Sequence, residues 1–168
     1  MRGDIPGSIA SLEREIRLVR ETQATPAPAI MAFLAHAYAL SGRLEEALAL
    51  FDESLREAAA KNFLPCNSLW IGWWGEAALE AGRIDEAQGH IERALSISRR
   101  QKERGYEAFA LRLQGCIDAR RTPEDIATAE ASLSAALARA IELGMRPLEA
   151  HCRRDLGRLL ARAGRADQ

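Results

Sequence analysis

The sequence predicts an all-α chain, a right-handed superhelical solenoid of antiparallel helix pairs with about seven to eight helices. Three observations predict it. Ala, Leu, Glu and Arg dominate, all strong helix formers, and no stretch alternates with period two for long enough to be a strand. The six prolines, Pro6, Pro26, Pro28, Pro65, Pro123 and Pro147, fall where a helix would start or a linker would run. The chain also repeats itself at a spacing of about 40 residues, the mark of stacked helical hairpins.

In chain order, "GDIPGSIASLEREI" (3–16) reads as the second helix of a preceding unit, within a half repeat at 3–25. Full repeats are expected at 27–63, 67–103 and 106–144, and a further half repeat at 147–168, all in one domain. "LAHAYALSGRLEEALALF" (34–51) aligns with "WGEAALEAGRIDEAQGHI" (74–91), placing Gly42 and Gly82 40 residues apart, as are Ala47 and Ala87. The third copy, "QGCIDARRTPEDIATAEASL" (114–133), keeps Gly115 and Ala129 but puts Gln114 and Asp118 at apolar slots. Thr122 is expected to cap its second helix, with Pro123 at the first helical position. The fourth copy opens "LGRLLARAGRADQ" (156–168). Gly42, Gly82 and Gly164 each follow a helical pattern and fit the left-handed C′ position. Small residues at Ala35, Gly75, Gly115 and Gly157 allow each first helix close to its second, where Ala47, Ala87 and Ala129 supply the matching small surface.

These residues resemble the tetratricopeptide repeat. The first copy gives Leu34, Ala35, Tyr38, Gly42, Ala47 and Phe51; the second gives Trp74, Gly75, Ala78, Gly82, Ala87 and Ile91; the fourth gives Leu156, Gly157, Leu160 and Gly164. The usual period is about 34, whereas HEAT-like arrays run at ~40–47. The Gly-to-Ala spacing of five in copies one and two favours the tetratricopeptide pattern. "RGYEAFALRLQGCIDARR" and "ELGMRPLEAHCRRDLGRLLARAGR" are further similar to the C-terminal repeat tail of large bacterial signalling ATPases, many of which carry a class III nucleotide (adenylate) cyclase head before an AAA/STAND module. That resemblance implies a regulatory, partner-sensing region for signal transduction. The chain itself has no P-loop glycine-lysine motif and no acidic metal pair on a strand. Because it begins and ends inside a repeat, it is expected to be a fragment of a longer protein.

Composition narrows the function classes. The chain is 48% hydrophobic and 28% charged, which suits a folded domain rather than a disordered one. No run approaches a membrane span, and the N-terminus turns charged at once, unlike a signal peptide. Cys66, Cys116 and Cys152 are odd in number and far apart, suggesting reduced thiols in cytoplasm. They do not suggest a metal site, and no cofactor is implied. His36, His90 and His151 lack triad-like partners, so an enzyme is not expected. A nucleic-acid-binding helical repeat is the alternative, prompted by the Arg-rich second half, but the net charge of −1 argues against a generic binder.

All three tryptophans, Trp70, Trp73 and Trp74, lie within five residues. At about 100° per residue, Trp74 points between the helices of its own hairpin and Trp70 toward the preceding unit. Trp73 points to the concave side, beside Leu69, Glu76 and Glu80, with Gly72 leaving room. The equivalent groove positions elsewhere are Phe33 and His36; Arg112, Leu113 and Cys116; and His151, Arg154 and Arg158. Residues 1–98 hold 9 Lys+Arg against 14 Asp+Glu, and residues 99–168 hold 14 against 10. The groove is therefore expected to be aromatic at one end and arginine-rich at the other, fit for a protein or peptide ligand of acidic character. Helices 7–22 and 147–163 each lack a hairpin partner, and Leu156, Leu159 and Leu160 are expected to expose an apolar stripe that favours self-association.

Overall fold

The computed structural model describes residues 4–61, 67–122 and 124–165, apart from the side chain of Asn67. Among them are eight α-helices and no strand: α1 (Ile5–Glu21), α2 (Pro28–Leu40), α3 (Leu44–Ala60), α4 (Asn67–Glu80), α5 (Ile84–Gln101), α6 (Arg104–Arg121), α7 (Ile126–Glu142) and α8 (Arg146–Arg162). The chain divides into two compact units, one built on α1–α3 and the other on α4, to Leu79, through α8.

In the first unit α2 packs against both α1 and α3. Pro28 opens α2 where its missing N–H costs nothing, and the Ser54 hydroxyl of α3 donates to the Pro28 carbonyl at 2.8 Å in the interior. Ile16, Met31 and Leu34 form the core, flanked by Ile9, Leu12, Ile30, Tyr38 and Leu50. Ala35, Ala47 and Phe51 are fully enclosed, as close helix approach through small residues requires.

In the second unit the glycines do the same. A Cβ at Gly75 would stand 2.6 Å from Ile91 Cδ1, and one at Gly115 would stand 2.6 Å from Leu133 Cγ and 3.0 Å from the Ala129 carbonyl oxygen. Gly157 differs, since a Cβ there meets nothing within 4 Å. Gly115→Ala is expected to cost about 1–3 kcal/mol, because a backbone oxygen cannot step aside. Gly75→Ala should cost less, because the end of a flexible isoleucine can swing away. Urea melts of the two variants check the ranking.

The ends of α2, α4, α5, α7 and α8 follow one device. Gly42, Gly82, Gly144 and Gly164 have φ of 85°, 76°, 66° and 70°, and Lys102 takes the same left-handed conformation at 58°. After each, the next N–H bonds to a carbonyl five residues back: Arg43 to Tyr38, Arg83 to Ala78, Glu103 to Ser98, Met145 to Ala140 and Arg165 to Leu160, at 2.8–2.9 Å. Gly144 and Lys102 extend the device beyond the three glycines read from the sequence.

The third repeat departs from expectation at its second helix. Thr122 is the C-cap of α6, and α7 starts at Ile126, with Asp125 accepting from the Thr128 N–H at 3.1 Å. A carboxylate at the N-cap also meets the helix dipole, which a hydroxyl does not. Pro123 lies outside the described residues. Gln114 and Asp118 are satisfied rather than stranded. Gln114 donates to Gln88 of α5 at 3.1 Å and to Asp118 at 2.8 Å, and the Ser132 hydroxyl of α7 donates to Asp118 at 3.2 Å.

The expected apolar stripe on α8 is largely covered. Leu159 is buried with Ala129 and Leu133, Leu156 packs beside them, and Leu160 is half-buried. The α6–α7 pair offers α8 an apolar trough, and burying Leu159 there removes it from solvent. No helix among the described residues is long and apolar enough to cross a membrane.

Candidate functional site

The predicted groove residues fall into two sets, one in each unit. In the second unit, first helices α4, α6 and α8 carry Trp73, Glu76, Arg112, Cys116, His151, Arg154 and Arg158. Arg112 ties the three helices together. Its Nη1 donates to Glu76 Oε1 of α4 at 3.2 Å, and its Nε donates to Asp155 Oδ2 of α8 at 2.6 Å. The Arg112 side chain is only 7% exposed and that of Asp155 only 9%. Asp155 also accepts from Arg154 Nε at 3.0 Å and from the Cys116 thiol at 3.6 Å. Three of the seven predicted residues, Arg112, Cys116 and Arg154, therefore gather on one carboxylate that the sequence reading did not single out. Asp155 follows two arginines on a basic helix, and a lone acid in that setting reads as solvated. Its signal was that it lies on the same face as Arg158 and Cys152.

Burial and neighbouring charges together shape the titration of this site. Burial alone would raise the Asp155 carboxyl, but hydrogen bonds from Arg112 and Arg154, and their charges, hold it below its ordinary value. Burial, and then the Asp155 charge, push the Cys116 thiol up to about 12, so at neutral pH it is a protonated donor and not a nucleophilic thiolate. Burial and the charges of Arg112 and Arg154 lower His151.

Leu113, read from the wheel as a groove position, is buried in the core, because α6 turns that face inward. Gly72 does not leave room beside Trp73. Phe109 of α6 covers it, close enough that a Cβ would meet the ring at 3.1 Å. Trp73 itself is half-buried on α4, three positions before Glu76. Arg158 is exposed and lines a cavity of about 370 Å³ with Cys116, Arg120, Asp155, Arg162 and the apolar floor of Leu133 and Leu159. Neither Arg158 nor Arg162 has an ion-pair partner among the described residues. Arg120, another residue the wheel did not flag, donates to the Leu79 carbonyl at 2.7 Å and satisfies the C-terminal end of α4.

In the first unit, Phe33 and His36 line a cavity of about 710 Å³ between α1 and α2, with Asp4, Ser8, Leu12 and Leu40. Phe33 is 50% exposed. Burial pulls His36 down to about 4, so its imidazole is neutral at physiological pH. Among the described residues no three His, Cys, Asp or Glu side chains are grouped to hold a metal ion.

Paired helices joined by Schellman turns, with small residues at the crossings, define an all-α helical-repeat protein of the tetratricopeptide-like class. Solved structures share this fold. The crystal structure of BtubC (BKLC) from P. vanneervenii matches with a TM-score of 0.75 at 17% identity, over 98% of this chain and 68% of that one. A Podosopora anserina protein described as a kinesin light chain with nearly identical TPR-like repeats matches with a TM-score of 0.63 at 17% identity, over 98% of this chain and 81% of that one. The sequence matches no protein-family model and no curated protein.

Proposed function

We propose that the chain is a non-catalytic protein-interaction module whose second unit docks an acidic segment of a partner protein. The observation that carries this reading is the pair of guanidinium groups, Arg158 and Arg162, that line an apolar-floored cavity without ion partners among the described residues. Arginine holds carboxylates bidentately, and an apolar floor beside it favours a peptide over a free ion. Trp73, His151, Arg154 and Arg158 are the contacts. Arg112, Glu76 and Cys116 act beneath them, by fixing Asp155 and the spacing of α4, α6 and α8. Phe33 and His36 offer an aromatic patch on the first unit.

The similarity to bacterial repeat tails supports a finer reading. In it the module is the cytoplasmic, partner-sensing region of a larger signalling protein, such as an adenylate cyclase or an AAA/STAND ATPase. A cyclase or P-loop segment in the same open reading frame would support that context, and its absence would remove it.

A labelled poly-glutamate peptide, titrated by fluorescence anisotropy at low and high salt, tests the docking. Binding should weaken with salt, and Arg158→Ala with Arg162→Ala should lower it at least tenfold, about 1.4 kcal/mol. Unchanged binding in that double variant overturns the site. Tighter binding of a single-stranded oligonucleotide, with a steep salt slope, would instead favour the nucleic-acid alternative.

A further inference from the structure

Positive charge in the second unit gathers at one spot. Arg158 and Arg162 stand one turn apart on α8, about 6 Å along its axis, and so share a face. Arg120 lines the same cavity from α6, where its Nη1 donates to the Leu79 carbonyl at 2.7 Å and fixes the guanidinium at the wall. Against these three the lining sets one carboxylate, Asp155, which its donors keep ionised at neutral pH. Cys116 stays a protonated thiol there and adds no negative charge. The wall therefore carries a surplus of two positive charges over an apolar floor of Leu133 and Leu159. Further along α4, α6 and α8 the charges are already matched. Arg112 holds Glu76 and Asp155, and Arg154 holds Asp155. Burial and the neighbouring arginines keep the His151 imidazole neutral.

Size and charge together select the anion. At about 370 Å³ the cavity is near the lower end of ligand-sized cavities, ~300–1,000 Å³. Side chains on one face of an extended peptide are about 6–7 Å apart, so a run of glutamates puts one carboxylate into the cavity and leaves the next outside. That single charge answers half of the surplus. A phosphate monoester carries about −1.5 to −2 at pH 7 on three acceptor oxygens, which matches the surplus within one side chain. Its oxygens also suit the two-pronged donation of a guanidinium, and two such groups can share one phosphate.

We propose that this site takes a phosphorylated serine or threonine of the partner segment, with the phosphate held by Arg158 and Arg162 beside Arg120. An adjacent apolar side chain of the segment rests on Leu133 and Leu159. Phosphorylation of the partner then switches docking on. This inference rests on the acidic-segment reading above and names the acid that the site selects.

The test uses a short fluorescein-labelled peptide of alanine and leucine with a central serine, glutamate or phosphoserine, titrated by anisotropy alongside the poly-glutamate peptide. The phosphoserine form should bind about tenfold tighter than the glutamate form, and the serine form weakest. Arg158→Ala with Arg162→Ala should erase the difference between phosphoserine and glutamate. Both arginines are exposed, so the thermal melt of that variant should hold. Poly-glutamate binding that depends on the two arginines, with the phosphoserine and glutamate forms within about twofold of each other, overturns the phosphate and leaves the docking reading standing. Failure of every peptide to bind overturns both. A phosphoserine preference that survives the double variant overturns the site. So does inorganic phosphate, or a single-stranded oligonucleotide, that displaces the phosphoserine peptide at a lower concentration than the unlabelled peptide does, since the apolar floor would then contribute nothing.

Discussion

Arg112→Ala is expected to cost about 3–5 kcal/mol of folding stability, the usual penalty for removing one partner of a buried ion pair. The reason lies in what stays behind. Asp155 is nearly enclosed and takes its strongest hydrogen bond from Arg112 Nε. Glu76 loses a donor too, but at 27% exposure its side chain can turn to water. The cost therefore belongs mainly to Asp155, and the double variant Arg112→Met with Asp155→Leu should regain most of it. The pH dependence gives an independent check. In the wild type the Asp155 carboxyl is held below its ordinary value, so its contribution is present above about pH 4 and is lost as pH falls through the lowered folded value. In Arg112→Ala, burial outweighs the remaining donors and the carboxyl rises. Its deficit should then be larger at pH 7 than at pH 4. Guanidinium melts at both values decide this. Equal deficits at both would mean that Arg112 stabilises by packing its stem, not through Asp155.

The same network shows what could be read from the sequence. The helix pairs were legible because they rest on local chemistry. Prolines at helix starts, glycines at C′ positions and small residues at the crossings act within one turn of the chain. The Gly75 and Gly115 crossings followed from spacing alone. A helical wheel also placed Arg112 and Cys116 on one face with Arg154 and Arg158 one repeat later. It could not say that Asp155 would draw Arg112 inward, because the choice between a solvated and a buried arginine depends on a partner 43 residues away. Gln114 and Asp118 mislead for a like reason. They look like flaws in an apolar pattern until Gln88 and Ser132, on two other helices, are seen to complete them. Gly72 was read as room for Trp73 because the wheel holds one helix at a time and Phe109 belongs to another.

Of the adjacent tryptophans, Trp74 is expected to hold the fold and Trp73 to serve binding. Trp74 stacks on His90 with ring centroids 3.9 Å apart and planes 27° from parallel, closing the top of the α4–α5 hairpin. Burial lowers the His90 imidazole, and its Nε2 stands 3.7 Å from Glu86, too far for a hydrogen bond. The stack is thus what His90 rests against. Trp74→Ala would open a cavity over it and should cost about 3 kcal/mol or more. Trp74 Nε1 is buried without a hydrogen-bond partner among the described residues, so Trp74→Phe keeps the stack, sheds the unsatisfied N–H and should cost under about 1 kcal/mol. Trp73→Ala should likewise cost under about 1 kcal/mol of stability, yet weaken an acidic partner by about 2 kcal/mol, roughly thirtyfold, if the ring anchors the site. Thermal melts of the three variants, paired with peptide titrations of the two alanine variants, separate the roles. If Trp73→Ala melts as early as Trp74→Ala, Trp73 belongs to the core, and the binding face of α4 begins at Glu76 instead.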